Sequence, residues 1–360
     1  MLVAEAVCRK LMMANLASKN GASSPRMAHA TSSAAADRNG FQSLFEPIRD
    51  EMRAVEERLK VELRNDHAFV DELVRHSFRM GGKRLRPALV LLSCKLFAEP
   101  RREHVVLGAV VEMIHTATLV HDDVLDEAAM RRHLATLNSR WSNEASVLVG
   151  DYLFTHAFYL ASTLETTFAC TTIGRATNIV CEGELRQIHS RGNHDLDEDE
   201  YLRIIEAKTA ELCACCCRLG SHYAGAPREA VEALARFGRD LGTAFQVADD
   251  MLDLLGDEKS AGKSLGTDLE KQKPTLPVIR ALTQLEAQPR KELLSLLRHP
   301  EGAPRAALLR LLGETDAIEY TRRRAAQFAE RARRELSSVP NCAARDTLER
   351  LTELVIERSE

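Results

Sequence analysis

At 360 residues and 45% hydrophobic content, the chain can bury a large core, as one big domain or two medium ones. A formal net charge of −4 with dispersed basic residues gives no polyanion signature, so nucleic acid is not implied, and apolar runs such as 88–92 are too short to cross a bilayer. Aromatics make up only 5%, which favours helix over sheet, and nine cysteines, an odd number, fit a reducing compartment better than a disulfide framework.

Residues 1–40 stand apart. They are rich in Ala, Ser and Met, carry Arg9, Lys10, Lys19 and Arg26, and hold only Glu5 as an acid before Asp37. The segment reads as a disordered tail or an over-extended start on a cytoplasmic protein. Its basic, Ser-rich, acid-poor composition also suits a transit peptide, which would place the protein in a mitochondrion or plastid. From Phe41 onward nearly everything reads as helix. Phe45, Ile48, Met52, Val55, Leu59 and Leu63 recur at steps of three and four, and similar stripes cover 105–120, 145–164, 202–219, 231–255 and 318–336. Breaks fall at Gly81-Gly82, Glu99-Pro100, Arg191-Gly192-Asn193, 225–227, 256–266 and 300–304. No strand-like alternation of useful length appears. The expectation is an all-α, single-domain bundle of long helices over residues 41–360, built around a central active-site cavity.

Two acidic clusters interrupt these apolar stripes, Asp122-Asp123-x-x-Asp126 and Asp249-Asp250-x-x-Asp253. Helical steps of one and four residues turn through about 100° and 400°, so each cluster crowds three carboxylates onto one face. Such repulsion is tolerable where a hard divalent cation sits among the oxygens. One cluster could be a solvated helix face, but two in apolar surroundings point to a metal-dependent enzyme. Basic segments surround them: Gly81-Gly82-Lys83-Arg84-Leu85-Arg86-Pro87, Arg131-Arg132, Lys208-Thr209, Lys263 and Lys273. Cations beside metal-binding carboxylates suit an anion that metal and protein grip together, such as a diphosphate. Cys213, Cys216 and Cys217 share a helix face beside Cys215, but no second CxxC completes a metal site. They read as small apolar packing residues.

The motifs resemble the trans-polyprenyl diphosphate synthases, close to the medium- and long-chain members that make octaprenyl or solanesyl diphosphate. The segments that carry the resemblance are Gly82-Lys83-Arg84-x-Arg86-Pro87, the stretch from Glu112 to Asp126, Arg131-Arg132, Gly150-Asp151, Lys208-Thr209, Phe245-Gln246-x-x-Asp249-Asp250-x-x-Asp253, and Gly262-Lys263 through Leu276-Pro277. They stand in family order from about Phe45 to Arg358.

This resemblance implies that Asp122, Asp126, Asp249 and Asp253 hold Mg²⁺, three ions in all, bridging an allylic diphosphate. It implies that Arg131, Lys208, Gln246, Lys263 and Lys273 grip that diphosphate. Lys83, Arg86, His115 and Arg132 would bind isopentenyl diphosphate, with Thr209 and Gln246 near the developing allylic cation. A homodimer is implied as well. The family's usual glycine before the lysine of the Lys-Pro-Thr-Leu-Pro segment is Gln272 here.

Rival readings exist. Glu112 and His115 form a Glu-x-x-His pair as in di-iron bundles, but the second pair such bundles need is missing. Terpene cyclases usually mix Asn, Ser or Thr with Glu in their second metal site, whereas both clusters here are Asp-rich. A non-catalytic partner subunit would lack the acidic motifs. Product length follows from Ala117 and Thr118, which lie about one turn before Asp122 on the face along which a tail would run. In short-chain relatives that make farnesyl or geranylgeranyl diphosphate, a bulky aromatic closes the floor there. Its absence points to a product beyond C20, for instance a quinone side chain, with Phe158 as a candidate for a deeper floor.

Overall fold

The computed structural model describes residues 44–79, 82–255, 271–299 and 305–359, all within one compact unit, Arg38–Glu360. The 1–40 segment and Lys263 lie outside the described residues. A short 3-10 turn, Glu46–Ile48, leads into α1 (Arg49–Glu62), followed by α2 (Ala68–Arg79), α3 (Leu85–Lys95) and α4 (Arg102–Leu125). A hairpin of β1 (Met130–Arg131) and β2 (Leu134–Ala135) precedes the short α5 (Leu137–Arg140), then α6 (Asn143–Ser162) and α7 (Phe168–Ser190). Next comes α8 (Glu198–Ile205), a π-helical stretch (Glu206–Ala210), α9 (Glu211–Tyr223) and α10 (Arg228–Leu255). Helices α11 (Leu276–Gln284), α12 (Ala287–Arg298), α13 (Arg305–Gly313), α14 (Ala317–Glu335) and α15 (Ala343–Ser359) complete the described chain.

The all-α expectation holds, with three local differences. The stripe over 202–219 is not one α-helix, because the π stretch interrupts it at Lys208-Thr209. Arg131 and Arg132 sit on the hairpin rather than on a continuing helix, since the first acidic helix ends at Leu125. Helix α7 has an amphipathic pattern too short of large apolar residues to stand out in the sequence.

Local chemistry sets the starts. Ser142 accepts a hydrogen bond from the Ala145 backbone N–H at 3.1 Å, and Asp197 accepts one from Glu200 at 2.8 Å; both cap otherwise orphaned donors of the helices that follow. The buried His104 receives the Arg101 backbone N–H at 3.1 Å and closes the first turn of α4. Among the described residues, α4 is the one helix long and apolar enough to cross a membrane by length and composition, but 72% of its apolar window is buried inside the protein, as in a core helix. Its faces pack on α6, α3, α1 and α9. Helix α9 also packs on α10 and so lies between the two acidic helices.

Cys213, Cys215, Cys216 and Cys217 are all buried on α9 and unbonded, and burial pushes their thiols up, Cys217 to about 12. They are inert packing residues, as the sequence suggests. Helix α9 can approach α3 because position 220 lacks a side chain: a Cβ there would lie 2.1 Å from the Val90 carbonyl oxygen. Gly220→Ala must therefore push two core helices apart. We expect a loss of about 1–3 kcal/mol, read as a lower urea midpoint at unchanged slope.

Candidate active site

The two acidic clusters share a buried middle aspartate but differ at their third position. The middle aspartate turns inward: Asp123 is 1% exposed and accepts Arg131 Nε at 2.9 Å, while Asp250 is 7% exposed and accepts Gln246 Nε2 and the Tyr201 hydroxyl, each at 2.7 Å. The flanking carboxylates of the first cluster, Asp122 and Asp126, are half-buried, and Asp249 of the second is exposed. Asp253 is 1% exposed, deeper than the sequence suggests for a residue on an open face. The inner pair thus fixes the helices, while Asp122, Asp126 and Asp249 keep contact with the surface.

The π stretch joins the two clusters. Lys208 Nζ lies 2.5 Å from Glu184, 2.7 Å from Gln187 Oε1 and 3.9 Å from Asp122. Its neighbour Thr209 donates to Gln246 Oε1 at 2.8 Å, and Gln246 in turn donates to Asp250. An extra residue in a helical turn re-aims the side chains that follow, and such stretches gather at functional sites. Gly183 makes room for it, since a Cβ there would lie 2.7 Å from the Lys208 backbone nitrogen. Burial disfavours the Lys208 ammonium, yet the charges of Asp122 and Glu184 outweigh it and hold its pKa above the ordinary value. Burial pushes Asp122 up to about 6 against the pull of Lys208.

Three cations converge on Asp126: Arg191 and Lys271 at 3.0 Å and Lys273 at 3.3 Å. Burial raises its pKa, but Lys273 and Lys271 outweigh that and keep it below the usual carboxylate range. Lys273 reaches this position although the family's glycine is missing, because Gln272 itself adopts the left-handed φ of 52° that glycine would take freely.

On the other side, the basic turn meets the basic hairpin. A Cβ at Gly82 would lie 2.6 Å from the Arg132 guanidinium. His115 is held well below its ordinary pKa by burial and by Arg86, Arg132, Arg131 and Arg84, so it is neutral. Arg86 Nε is buried without an acceptor, which leaves a donor for an incoming anion. Arg84 is different. It has the left-handed φ of 54° and binds Glu56 at 2.6 Å and Glu112 at 2.5 Å, so it anchors the turn. With Glu112 committed to Arg84, the Glu-x-x-His pair is not a metal site.

Ala117 is 1% exposed, and Thr118 donates to the His115 carbonyl. Phe158 is half-buried, tilted on Phe154 with ring centroids 5.2 Å apart. Sequence reasoning missed Glu184, Gln187, Arg191, Lys271 and Tyr201. Lys271 was signalled by its spacing of two from Lys273, whereas Glu184, Gln187 and Tyr201 lay in helices with no motif around them and Arg191 in a turn that read only as a break.

The donor set suits a hard divalent cation. Among the described residues no group of three or more ligating side chains is preassembled, but Mg²⁺ is ordinarily held by one or two carboxylates plus phosphate oxygens. Asp122, whose negative charge burial disfavours, is a carboxylate that such a cation would stabilise.

Paired aspartates facing clustered cations within an all-α bundle define an enzyme that grips a polyanionic substrate. Residues 67–309 match the polyprenyl synthetase family. The chain is 33% identical over 319 residues to the octaprenyl diphosphate synthase of Escherichia coli strain K12, a match covering 88% of this chain and 99% of the relative. The decaprenyl diphosphate synthase of Rhodobacter capsulatus superposes with a TM-score of 0.84 at 35% identity, covering 89% of this chain and 99% of that one. A polyprenyl synthase of Caulobacter crescentus, solved with calcium and isoprenyl diphosphate, superposes with a TM-score of 0.82 at 33% identity, covering 93% and 100%. The chain belongs to the polyprenyl synthetase family. It is a trans-prenyltransferase that elongates polyprenyl diphosphates.

Proposed function

We propose that the enzyme condenses isopentenyl diphosphate with an allylic diphosphate, in the presence of Mg²⁺, to give a product beyond C20. The observation that carries this reading is the π stretch that ties Lys208 to the first acidic cluster and Thr209 to the second. One element thereby places a cation and a hydroxyl between two sets of carboxylates.

Asp122, Asp126, Asp249 and Asp253 would hold the metal, three ions by family resemblance, and these ions when bound would neutralise the departing diphosphate. Lys208, Arg131, Gln246 and Lys273, with Lys263 from outside the described residues, hold the allylic diphosphate. Lys83, Arg86, Arg132 and neutral His115 hold that of isopentenyl diphosphate. The allylic carbon–oxygen bond breaks, the isopentenyl double bond attacks the cation, and a proton leaves the adduct. Thr209 and Gln246 offer oxygen dipoles near that cation, and burial keeps water from quenching it. Leu148, Tyr159 and Leu185, each more than 60% exposed on α6 and α7, support assembly as a homodimer, and a monomeric mass by light scattering at micromolar concentration would refute it. The cytoplasm is the proposed location, and a processed N-terminus in an organelle fraction would overturn it.

The division into two diphosphate sites is testable. Lys83→Ala or Arg86→Ala should raise the apparent KM for isopentenyl diphosphate by about tenfold or more, in line with loss of a charge-assisted contact. The KM for the allylic substrate should change little. Equal effects on both would contradict the division.

A further inference from the structure

Away from the two acidic clusters, a cavity of about 440 Å³ lies between the turn after α7 and helix α12. That size falls within the roughly 300–1,000 Å³ of ligand pockets. Its walls include Asn193, His194, Gln272, Arg290 and Arg298, on segments far apart in the chain. The balance of charge is positive. Asp195 stands at the rim with its side chain 92% exposed, and its carboxylate is 3.8 Å from Arg290, too far for a hydrogen bond. The Arg298 guanidinium makes no hydrogen bond or ion pair among the described residues, and its charge reaches His194, which burial and Arg298 together hold below the ordinary imidazole range.

Gln272 forms the inner wall. Its carbonyl accepts the Gly192 backbone N–H at 2.9 Å, its amide reaches the Arg298 carbonyl at 3.5 Å, and its Oε1 lies 2.9 Å from where a Cβ on Gly192 would stand. The residue that departs from the family pattern therefore shapes this pocket. A glycine at 272 would leave it without that wall.

We propose that this pocket binds a small oxyanion of the phosphate class, held in the fork of Arg290 and Arg298 with His194 as a further donor. Two guanidinium groups present planar pairs of N–H donors that match phosphate oxygens. With no acceptor for its guanidinium among the described residues, Arg298 offers an arriving anion a direct partner. The site is separate from both substrate diphosphate sites, but it adjoins the turn that carries Lys271 and Lys273. An anion that draws α12 towards the 192–194 turn also firms the backbone from which those lysines reach Asp126.

The test is a titration of the full chain with inorganic phosphate, followed through the imidazole resonances of His194 in a histidine-labelled sample. We expect a saturable downfield shift as the imidazole gains protonation beside the anion, and at least a tenfold weaker phosphate response in Arg298→Ala. That variant should keep wild-type turnover in phosphate-free buffer, which shows that its fold is intact. Phosphate binding detected elsewhere on the protein with no response at His194, or a response that Arg298→Ala leaves unchanged, would overturn the assignment.

Discussion

Replacing Asp122 or Asp249 by alanine is expected to lower prenyl transfer by about 1,000-fold or more, the scale reached when preorganised charge stabilisation is removed from a reacting centre. The helical fold should survive both changes. Asp249 is exposed, so its removal opens no cavity in the core. At Asp122 the variant deletes a carboxylate that burial already disfavours, and Lys208 keeps Glu184 at 2.5 Å. The measurement is turnover at saturating substrates and Mg²⁺ alongside far-ultraviolet circular dichroism. Near-normal turnover in either purified variant would sink the metal-bridging role.

The inner aspartates sharpen this expectation. Asp123 and Asp250 carry the same charge as their neighbours, yet they are spent on Arg131 and on Tyr201 with Gln246. Substituting them would disturb the fold and the aim of the outer residues together, so their loss would not isolate the chemistry. Spacing alone groups all six carboxylates as equivalent. Only the packing of α4 and α10 shows that Asp123, Asp250 and Asp253 are buried while Asp122, Asp126 and Asp249 are not.

That distinction marks where sequence legibility ends. Helix class, the acidic clusters and the basic turn are local patterns, and they survive in the structure because periodicity and charge density are local facts. The π stretch is not legible, because Glu206–Ala210 has ordinary helix formers and its irregularity arises where Gly183 lets α7 press on the Lys208 backbone. Arg191 was likewise invisible as a partner of Asp126, and the spacing of Lys271 marked it as a cation but not as that partner, since both approaches are created by tertiary contact across 65 and 145 residues of chain. Arg84 shows the reverse error that a motif invites. It stands in the sequence between cations expected to bind substrate, but the buried Glu112 claims it.

The helix that carries Asp122 and ends beside Asp126 also carries Ala117 and Thr118 about one turn before Asp122, so a tail whose diphosphate is held at these carboxylates would pass these two positions first. Neither side chain is bulky, and Ala117 is fully covered, so anything added there meets neighbouring atoms rather than water. Burying hydrocarbon gains roughly 0.8 kcal/mol per CH₂-sized group, so each isoprene unit favours a longer tail for as long as apolar space continues. Phe158, tilted on Phe154 and set against the small Gly174, is the aromatic proposed to end that space. Ala117→Tyr should therefore shift the product towards C15–C20 while prenyl transfer continues, because the added ring blocks extension without touching the diphosphate-binding groups. Sizing the products from labelled isopentenyl diphosphate, farnesyl diphosphate and Mg²⁺ reads both halves of this expectation. A wild-type product that stops at C15, or an Ala117→Tyr product of unchanged length, would show that the floor of the tunnel lies elsewhere.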